Sequence, residues 1–395
     1  MTRPGVEILS RAQPLARSAP TDTGVWFVVG AVTTEAHDGS GENVPTLITS
    51  MTQYEAVYGA RGNGSAQKLY DAVETYFREG GARLYVSGFT ATTPVASDFT
   101  DALDLFSETL GPGQVSAPGS TDVVVQTALL DHAASHNRVA LIDGPASGDA
   151  ASIVAAGAAL TSTTNARYGA MFAPNAIIPG VAAGTTRSVS MAAVVAGIIA
   201  RNDVSFTANQ AAAGVNGVSL YANDLSAFYS DDDYQTINEA GICMARNVYG
   251  VIQNYGYRSL VDPDGADSAW TDFGHCRLNM QIVARAGVIA QRYLFSQIDG
   301  RKRTIADFGG ELSGMLVPFY EAGALYGDTA QEAFNVNVGS QVNTEQTIAN
   351  GELHAVLQVR MSPFAELVVI EIVKVSTTEA LAAGAVQSVA QASAA

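Results

Sequence analysis

Short apolar runs alternate with segments of helical period over residues 25–201, and this alternation limits the fold more than any other feature of the sequence. Residues 25–29 form a run of aromatic and β-branched side chains that ends at Gly30, which is typical of a buried strand. Residues 66–77 place apolar side chains at helical spacing, and further pairs of strand and helix follow. Strands that alternate with helices predict a largely parallel sheet covered by helices on both faces.

The second half of the chain has a different pattern, in which long helical segments precede paired strands. We predict a strand at 248–252 and helices at 276–295 and 307–323. Residues 333–338 and 353–359 alternate apolar and polar side chains, as the two strands of a β-hairpin do. The chain therefore combines an α/β part, which has a mainly parallel sheet, with a C-terminal α+β part.

Both ends of the chain carry strand-like segments. Three prolines are spread along residues 1–20 without a helical period, which predicts an extended arm, and residues 367–375 form an apolar strand before a tail of low complexity. An isolated arm cannot bury its apolar residues in a core of its own, so it is either disordered or paired with something. The apolar residues of the two segments are Val6, Ile8, Leu9, Leu367, Val369, Ile370 and Ile372.

The charge balance excludes one class of ligand and favours protein partners. The formal net charge is −17, which argues against binding to free duplex nucleic acid because phosphate binding needs a basic field. Charged residues make up only 15% of the chain, against roughly a quarter in an ordinary globular protein. Such a composition favours surfaces that are hidden against partners, although a large core gives the same signal.

Several features place the chain in a reducing compartment without a membrane anchor. Arg3 is followed by Pro4 and Gly5 and by no apolar core, so a secretory signal is not expected. The longest run of small apolar residues, 191–200, is far short of the ~20 residues that span a bilayer. Two cysteines cannot form a disulfide framework or a zinc site alone, and we expect both to be small buried apolar residues.

The search for catalytic chemistry yields three weak candidates and no recognised enzyme motif. Asp131, His132 and His136 would share a helix face and could bridge a metal ion, although a polar helix face explains them as well. Asp143 ends a strand, where α/β enzymes place functional groups, but an Asp before Gly-Pro is also a common turn residue. The glycines at 59, 62 and 64 lack the strand-then-helix setting of a dinucleotide loop and predict a flexible turn.

Basic residues are concentrated in one part of this acidic chain. Arg277, Arg285 and Arg292 are spaced eight and seven apart, which places them on one helical face, and Arg301, Lys302 and Arg303 follow directly. The pattern indicates either a solvated basic stripe or an electrostatic contact with an acidic partner surface. Arginine favours pairing with carboxylates.

Short motifs spread along most of the chain resemble contractile phage tail sheath proteins. Tyr76-Phe77-Arg78-Glu79-Gly80-Gly81 is similar to the Phe-Phe-x-x-Gly-Gly element of that family, and residues 196–203 are similar to its Ala-Gly-x-x-Ala-Arg-x-Asp stretch. The usual Trp-Gly-Ala-Arg-Thr run is replaced here by Tyr249-Gly250-Val251-Ile252. The family includes the sheaths of phage-tail-like bacteriocins and contractile injection systems. Further matching segments are 3–7, 25–30, 45–50, 237–242, 318–327, 333–336, 351–353 and 363–366.

The resemblance implies a structural subunit and no enzyme or cofactor. Sheath subunits form stacked hexameric rings around an inner tube protein, between a baseplate and a tail terminator, in a virion tail that is assembled in the host bacterial cytoplasm. Terminal strands reach into neighbouring subunits. The resemblance implies that the tube-facing residues are Arg301, Lys302, Arg303, Phe319, Tyr320 and Leu325.

The same resemblance suggests a division of the chain. Residues 1–20 would be a linking arm, 21–235 an outer α/β domain, 236–365 an inner domain that faces the tube, and 366–395 a linking strand with a polar tail. Two other hypotheses stay open. One is an α/β hydrolase-like or metal-dependent enzyme that uses the Asp131, His132 and His136 region, and the other is a small-molecule or surface-binding module.

Overall fold

The computed structural model of the chain describes residues 22–37, 43–366, 368 and 370. The described residues up to Ser362 form one compact unit, and the described residues from Pro363 onward are assigned to a second one. All the helices and strands described below belong to the first unit. The predicted arm at 1–20 lies outside the described residues, as does most of the predicted strand at 367–375.

The strands among the described residues are short, and they are arranged in three sheets. In chain order they are β1 (Trp26–Ala31), β2 (Thr46–Ile48), β3 (Leu84–Phe89), β4 (Gln114–Ser116), β5 (Val139–Asp143), β6 (Gly169–Ala173), β7 (Ala176–Pro179), β8 (Thr186–Val189), β9 (Asp224–Leu225), β10 (Ile242–Val248), β11 (Val251–Asn254), β12 (Phe334–Asn337) and β13 (Val356–Val359).

Most of the helices begin at a Ser, Thr or Asp whose side chain accepts a bond from a first-turn backbone N–H. In the described part of the chain, no helix is long and apolar enough to cross a membrane. The helices are α1 (Met51–Tyr58), α2 (Ser65–Arg78), α3 (Ala96–Asp104), α4 (Val123–Ser135), α5 (Ala150–Thr161), α6 (Met191–Asn202), α7 (Asp231–Glu239), α8 (Phe273–Gln291), α9 (Arg303–Glu321), α10 (Ala330–Ala333) and α11 (Glu345–Ala349).

The main sheet has eight strands in the order β11-β10-β6-β5-β4-β1-β3-β2. The six inner strands run parallel, whereas the edge strands β2 and β11 each pair antiparallel with their neighbour. The mainly parallel sheet predicted from the strand and helix alternation is therefore confirmed. It also includes β10 and β11, which lie beyond residue 235.

Helices cover both faces of the main sheet. Because successive side chains of a strand point to opposite faces, Trp26 and Val28 pack under α2 and α6, while Phe27 and Val29 pack under the helices of the other face. α6 is buried almost all round, which accounts for its apolar residues on every side. This part of the molecule therefore buries its apolar faces within one chain.

The C-terminal elements of the first unit form smaller clusters. α8 and α9 pack together, and β12 and β13 form an antiparallel ladder against α9. The hairpin predicted at 333–338 and 353–359 is confirmed, with Phe334 opposite Val359 and Asn337 opposite Val356. The buried residues shared by these elements are Leu278, Ile282, Leu316, Phe319, Ala324, Leu325 and Ala333.

The predicted strand at 248–252 is wrong, because the chain reverses direction in the middle of it. β10 ends at Val248 and β11 begins at Val251, with Tyr249 and Gly250 between them at φ 53° and φ 86°. Positive φ at both central residues is typical of the tight hairpin turn that matches the twist of its strands. The apolar run that suggested one strand thus contains a turn.

Candidate inter-subunit surfaces

The β12–β13 ladder has open edges. Among the described residues, no further strand pairs with β12 or with Val356–Val359, so each strand presents unpaired backbone N–H and C=O groups on its outer side. One face of the ladder packs on the cluster around Leu316 and Phe319, which holds the two strands in place. Exposed edges of this kind are ready to accept an additional strand from another chain.

The residues predicted to supply such strands fall mostly outside the described part of the chain. Of these residues only Ile370 lies in the described part of the chain, and its side chain is 78% exposed. Val368, two residues earlier, is 73% exposed. The other six predicted contact residues lie outside the described residues: Val6, Ile8, Leu9, Leu367, Val369 and Ile372.

The connection between α8 and α9 carries a basic cluster. Arg301, Lys302 and Arg303 are exposed, and within the described residues none of them forms an ion pair. The carboxylate of Asp299 accepts bonds from the backbone N–H groups of Arg303 (2.7 Å) and Thr304 (3.3 Å), so it serves the amino end of α9. The three cations are therefore free to meet an external acidic surface.

Two exposed apolar side chains lie on the same connection as this basic cluster, and the sequence analysis missed them. Leu294 is 58% exposed, and Phe295 is fully exposed with φ at 61°, a left-handed conformation that bulky residues rarely adopt. We name Leu294 and Phe295 the apolar tip. The sequence signal for it was a Leu-Phe pair that precedes the three consecutive cations by a short segment ending in Asp299-Gly300, but residues 276–295 were predicted to be helical throughout.

The other predicted tube-facing residues have different environments. Phe319 and Leu325 are buried in the cluster beneath β12–β13, so they support α9 from inside. Tyr320 is half-buried, and its hydroxyl donates to the carbonyl oxygen of Asp328 at 3.0 Å. Only the three cations of this predicted set have freely exposed side chains.

The basic stripe predicted along α8 does not exist as a shared surface. Arg277 is completely buried, and its Nη2 lies 2.7 Å from Oδ2 of Asp203. The guanidinium of Arg285 lies over the Phe319 ring, 4.6 Å from its centre, and Arg292 pairs with Glu311 at 2.6 Å. The prediction was wrong because helical spacing places residues on a face without revealing whether another segment covers it.

The buried Arg277 stays charged. Burial alone would lower the pKa of the Arg277 guanidinium, but the nearby Asp203 carboxylate and Tyr257 hydroxyl outweigh that effect and raise it. Arg277 also donates from Nη1 to the carbonyl oxygen of Ala208 at 2.7 Å. A buried charge held by an opposite charge and a backbone acceptor is expensive to disrupt.

The central residue of the predicted metal site, His132, is hydrogen-bonded to an arginine. His132 is buried, and its Nε2 accepts a bond from Nη1 of Arg138 at 2.7 Å, so the lone pair that a metal would need is already used. Burial, with further contributions from Arg138 and His136, lowers the pKa of His132 to about 3. Among the described residues no group of three or more His, Cys, Asp or Glu could hold a metal ion.

Asp143 joins a strand of the main sheet to a helix that covers it. Its buried carboxylate accepts bonds from the Ser190 hydroxyl (2.6 Å) and from the backbone N–H groups of Gly119 (2.7 Å) and Ala192 (3.2 Å). Burial raises the pKa of this carboxyl despite these donors. The arrangement links the end of β5 to the start of α6 and explains the residue structurally.

Comparison with solved structures identifies the fold. A chain in the cryo-EM structure of the anti-feeding prophage (AFP) baseplate matches with a TM-score of 0.73 and 22% identity, over 95% of this chain and 100% of that one. A chain of the PVC sheath complex in its contracted state, from an extracellular contractile injection system, matches with a TM-score of 0.70 and 20% identity, over 95% and 98%. The chain has the fold of contractile sheath proteins.

More distant structures agree with this fold. The sheath tail protein from Desulfitobacterium hafniense matches with a TM-score of 0.54 and 10% identity, over 85% of this chain and 93% of that one. The sheath tail protein from Listeria innocua has a TM-score of 0.57 and 9% identity, over 82% and 90%. No protein-family model and no curated protein sequence matches the chain. The sheath resemblance seen in the sequence motifs is thus confirmed for the fold.

Proposed function

We propose that this chain is the structural subunit of a contractile sheath and not an enzyme. The supporting observation is that the similarity covers 95% of this chain and nearly all of two chains from contractile systems, so the whole molecule follows one architecture. In this proposal the subunits stack as hexameric rings around an inner tube, between a baseplate and a tail terminator. The assembled tail forms in the bacterial cytoplasm and drives its tube through a target envelope.

Strand exchange would connect the subunits. The open edges of β12–β13 offer backbone groups, and the strand-like segments at 1–20 and 366–395 offer strands to fill them. Each added hydrogen bond contributes only about 0.5–1.5 kcal/mol, but the contact is repeated in every subunit. The result is a continuous mesh whose links stay closed while the subunits move.

The sheath would work without a catalytic residue. The extended lattice is metastable, and a trigger at the baseplate lets the rings rotate and widen as new contacts form between subunits. The energy comes from these contacts, and the linking segments act as hinges. The division into an outer domain (21–235) and an inner domain (236–365) belongs to this proposal, with the inner domain nearer the tube.

Tube contact would involve the connection between α8 and α9. Arg301, Lys302 and Arg303 are exposed and unpaired within the described residues, and they suit an acidic tube wall. We expect simultaneous reversal of these three charges to weaken co-sedimentation of the sheath with its tube at physiological salt. Co-sedimentation that stays unchanged at every salt concentration would contradict this contact.

The first experiment is negative-stain electron microscopy of the purified protein at high concentration. The full chain is expected to form hollow striated tubes, and a deletion of residues 1–19 is expected to give folded protein without tubes. A matched control removes residues 377–395, which leaves the predicted linking strand in place and should still allow tubes. Tubes of normal appearance from the 1–19 deletion would reject strand exchange by the arm, and failure of the full chain under all assembly conditions would reject the sheath proposal.

A further inference from the structure

We infer that the first turns of α8 couple the bases of the two proposed linking segments, because Thr23, which lies shortly after the first segment, and Ser362, which lies shortly before the second, are both anchored on this helix. The anchors are Arg277, which reaches the start of the described chain through Asp203, and His275, which holds Ser362. This inference rests on the proposed sheath function, since a sheath pulls on both segments. The two anchoring side chains are only two residues apart.

The amino-terminal anchor is a chain of short polar contacts. Thr23 donates its hydroxyl to Oδ2 of Asp203 at 2.6 Å, and the same oxygen accepts from Nη2 of Arg277 at 2.7 Å. Asp203 directly follows α6, so the contact joins the first described residues, the end of α6 and the beginning of α8. Thr23 and Arg277 are both almost inaccessible to solvent.

The carboxyl-terminal anchor lies at the last residue of the first unit. The carbonyl oxygen of Ser362 lies 3.1 Å from Nε2 of His275, and since a carbonyl can only accept, Nε2 is the donor. The backbone N–H of Ser362 also donates to the carbonyl oxygen of Ala324 at 3.1 Å. Ser362 is therefore bonded on both sides immediately before the residues that lead to the predicted linking strand.

α8 is held firmly enough to pass a displacement from one anchor to the other. Phe273, Cys276 and Met280 belong to the large cluster under the main sheet, and Asn137 donates to the carbonyl oxygen of Met280 at 3.0 Å. Close-packed elements move as bodies and do not absorb strain locally. The far end of the same helix leads to the apolar tip and the basic cluster, so the anchors and the predicted tube contact share one element.

The coupling is testable in the unpolymerised protein by hydrogen–deuterium exchange. Thr23→Val removes the donor to Asp203 with almost no change of shape. We expect it to speed exchange several-fold in a peptide that contains Ser362, although no bond of Ser362 is removed. Conversely, His275→Leu should speed exchange in the peptide that begins at Asp22, because coupling between two sites is reciprocal.

Two controls separate coupling from ordinary loosening. His275→Gln keeps an amide donor for Ser362 and should restore protection in both peptides. Thr33→Val makes the same substitution at an exposed site, where it removes the bond to the carbonyl oxygen of Ala60, and should change neither peptide. If each substitution sped exchange only in the peptide at its own anchor, and not in the peptide at the other anchor, the inference would be overturned. That result would leave the sheath proposal untouched, since tube formation by the full chain is scored separately.

Discussion

The main sheet and the β12–β13 ladder differ in how much of their surface the chain itself covers. The strands β1, β5 and β6 are buried along their whole length under helices on both faces, and the sheet ends at β2 and β11, which each pair antiparallel with one neighbour. The ladder has two short half-exposed strands and open edges within the described residues. A two-stranded ladder is marginal by itself, and this one is supported by its packing against α9. Under the sheath proposal, its open edges are where a strand of another copy would add.

Charged groups follow the same division. In the α/β part, Asp71 is paired with both Arg61 and Arg187, and Asp143 is satisfied by three donors. At the connection between α8 and α9, the three consecutive cations have no ionic partner among the described residues. These two carboxylates of the α/β part are paired within the chain, whereas the three cations of the connection present their charge outward.

The largest effect on the free energy of unfolding is expected for loss of the buried arginine near the start of α8, compared with the exposed arginine at its end. Arg277→Met leaves the Asp203 carboxylate buried without its counter-charge and should cost about 3–5 kcal/mol of the free energy of unfolding. Arg292→Met is the matched control, because it breaks an exposed pair that contributes about 0–1 kcal/mol. Urea denaturation followed by circular dichroism measures both. Equal losses would mean that burial does not separate the two ends.

A pair of leucines compares the two sheets directly. Leu141 in β5 is 1% exposed, and Leu141→Ala should cost about 2–5 kcal/mol. Leu357 in β13 is half-buried, and Leu357→Ala should cost no more than about 1.5 kcal/mol in the monomer. Repeating the denaturation on assembled tubes should enlarge the Leu357 effect alone. A ladder that is already as stable as the main sheet would give two similar losses in the monomer.

The next effect is a pH dependence of the α/β part. Because the pKa of His132 falls to about 3 on folding from its ordinary 6.5, the unfolded chain binds a proton that the folded chain refuses between these values. Stability should therefore decrease as pH falls through this window, by up to about 1.4 kcal/mol per pH unit. His132→Gln should remove this contribution, and His354→Gln, at an exposed position, should not. The measurement is the urea midpoint of the unmodified chain and of both variants from pH 7 to 4. The same dependence on pH in all three proteins would refute the role of His132.

The smallest effect on the subunit is expected at the apolar tip. Phe295→Ser should change monomer stability by less than about 0.5 kcal/mol, since the ring makes no buried contact. It should nevertheless weaken co-sedimentation with the inner tube, because exposed aromatic anchors often dominate interfaces. Tyr249→Ser removes an equally exposed ring at the β10–β11 turn and serves as the control. Tube binding that is lost equally in both variants would show that the tip has no special role.

The alternation of strands and helices was sufficient to predict the main sheet, because both signals depend on local periodicity. The helix at 66–77 corresponds to α2, and the hairpin at 333–338 and 353–359 to β12–β13. The run at 248–252 misled, since Tyr249 is not a usual turn residue and only Gly250 signalled a reversal. Local patterns thus give the elements but not every turn between them.

The environment of single residues was harder to predict. The partner of Arg277 is Asp203, 74 residues earlier, and the helical period that placed Arg277 beside Arg285 is the same for a buried and an exposed cation. Phe295 was assigned to a helix that ends at Gln291, so its position on the connection could not be seen. In both cases the deciding information is a contact between distant segments, which a single sequence does not show.

Because some basic side chains are exposed and one is buried, their contacts should respond differently to ionic strength. Salt at physiological concentration screens charges beyond about 8 Å in water, so contacts made through Arg301, Lys302 and Arg303 should weaken steadily as salt is added. The Arg277–Asp203 pair is enclosed by protein and is screened far less. If the proposed tube contact is made through these cations, concentrated salt should detach the tube while each subunit stays folded, which would provide a mild route to empty sheaths.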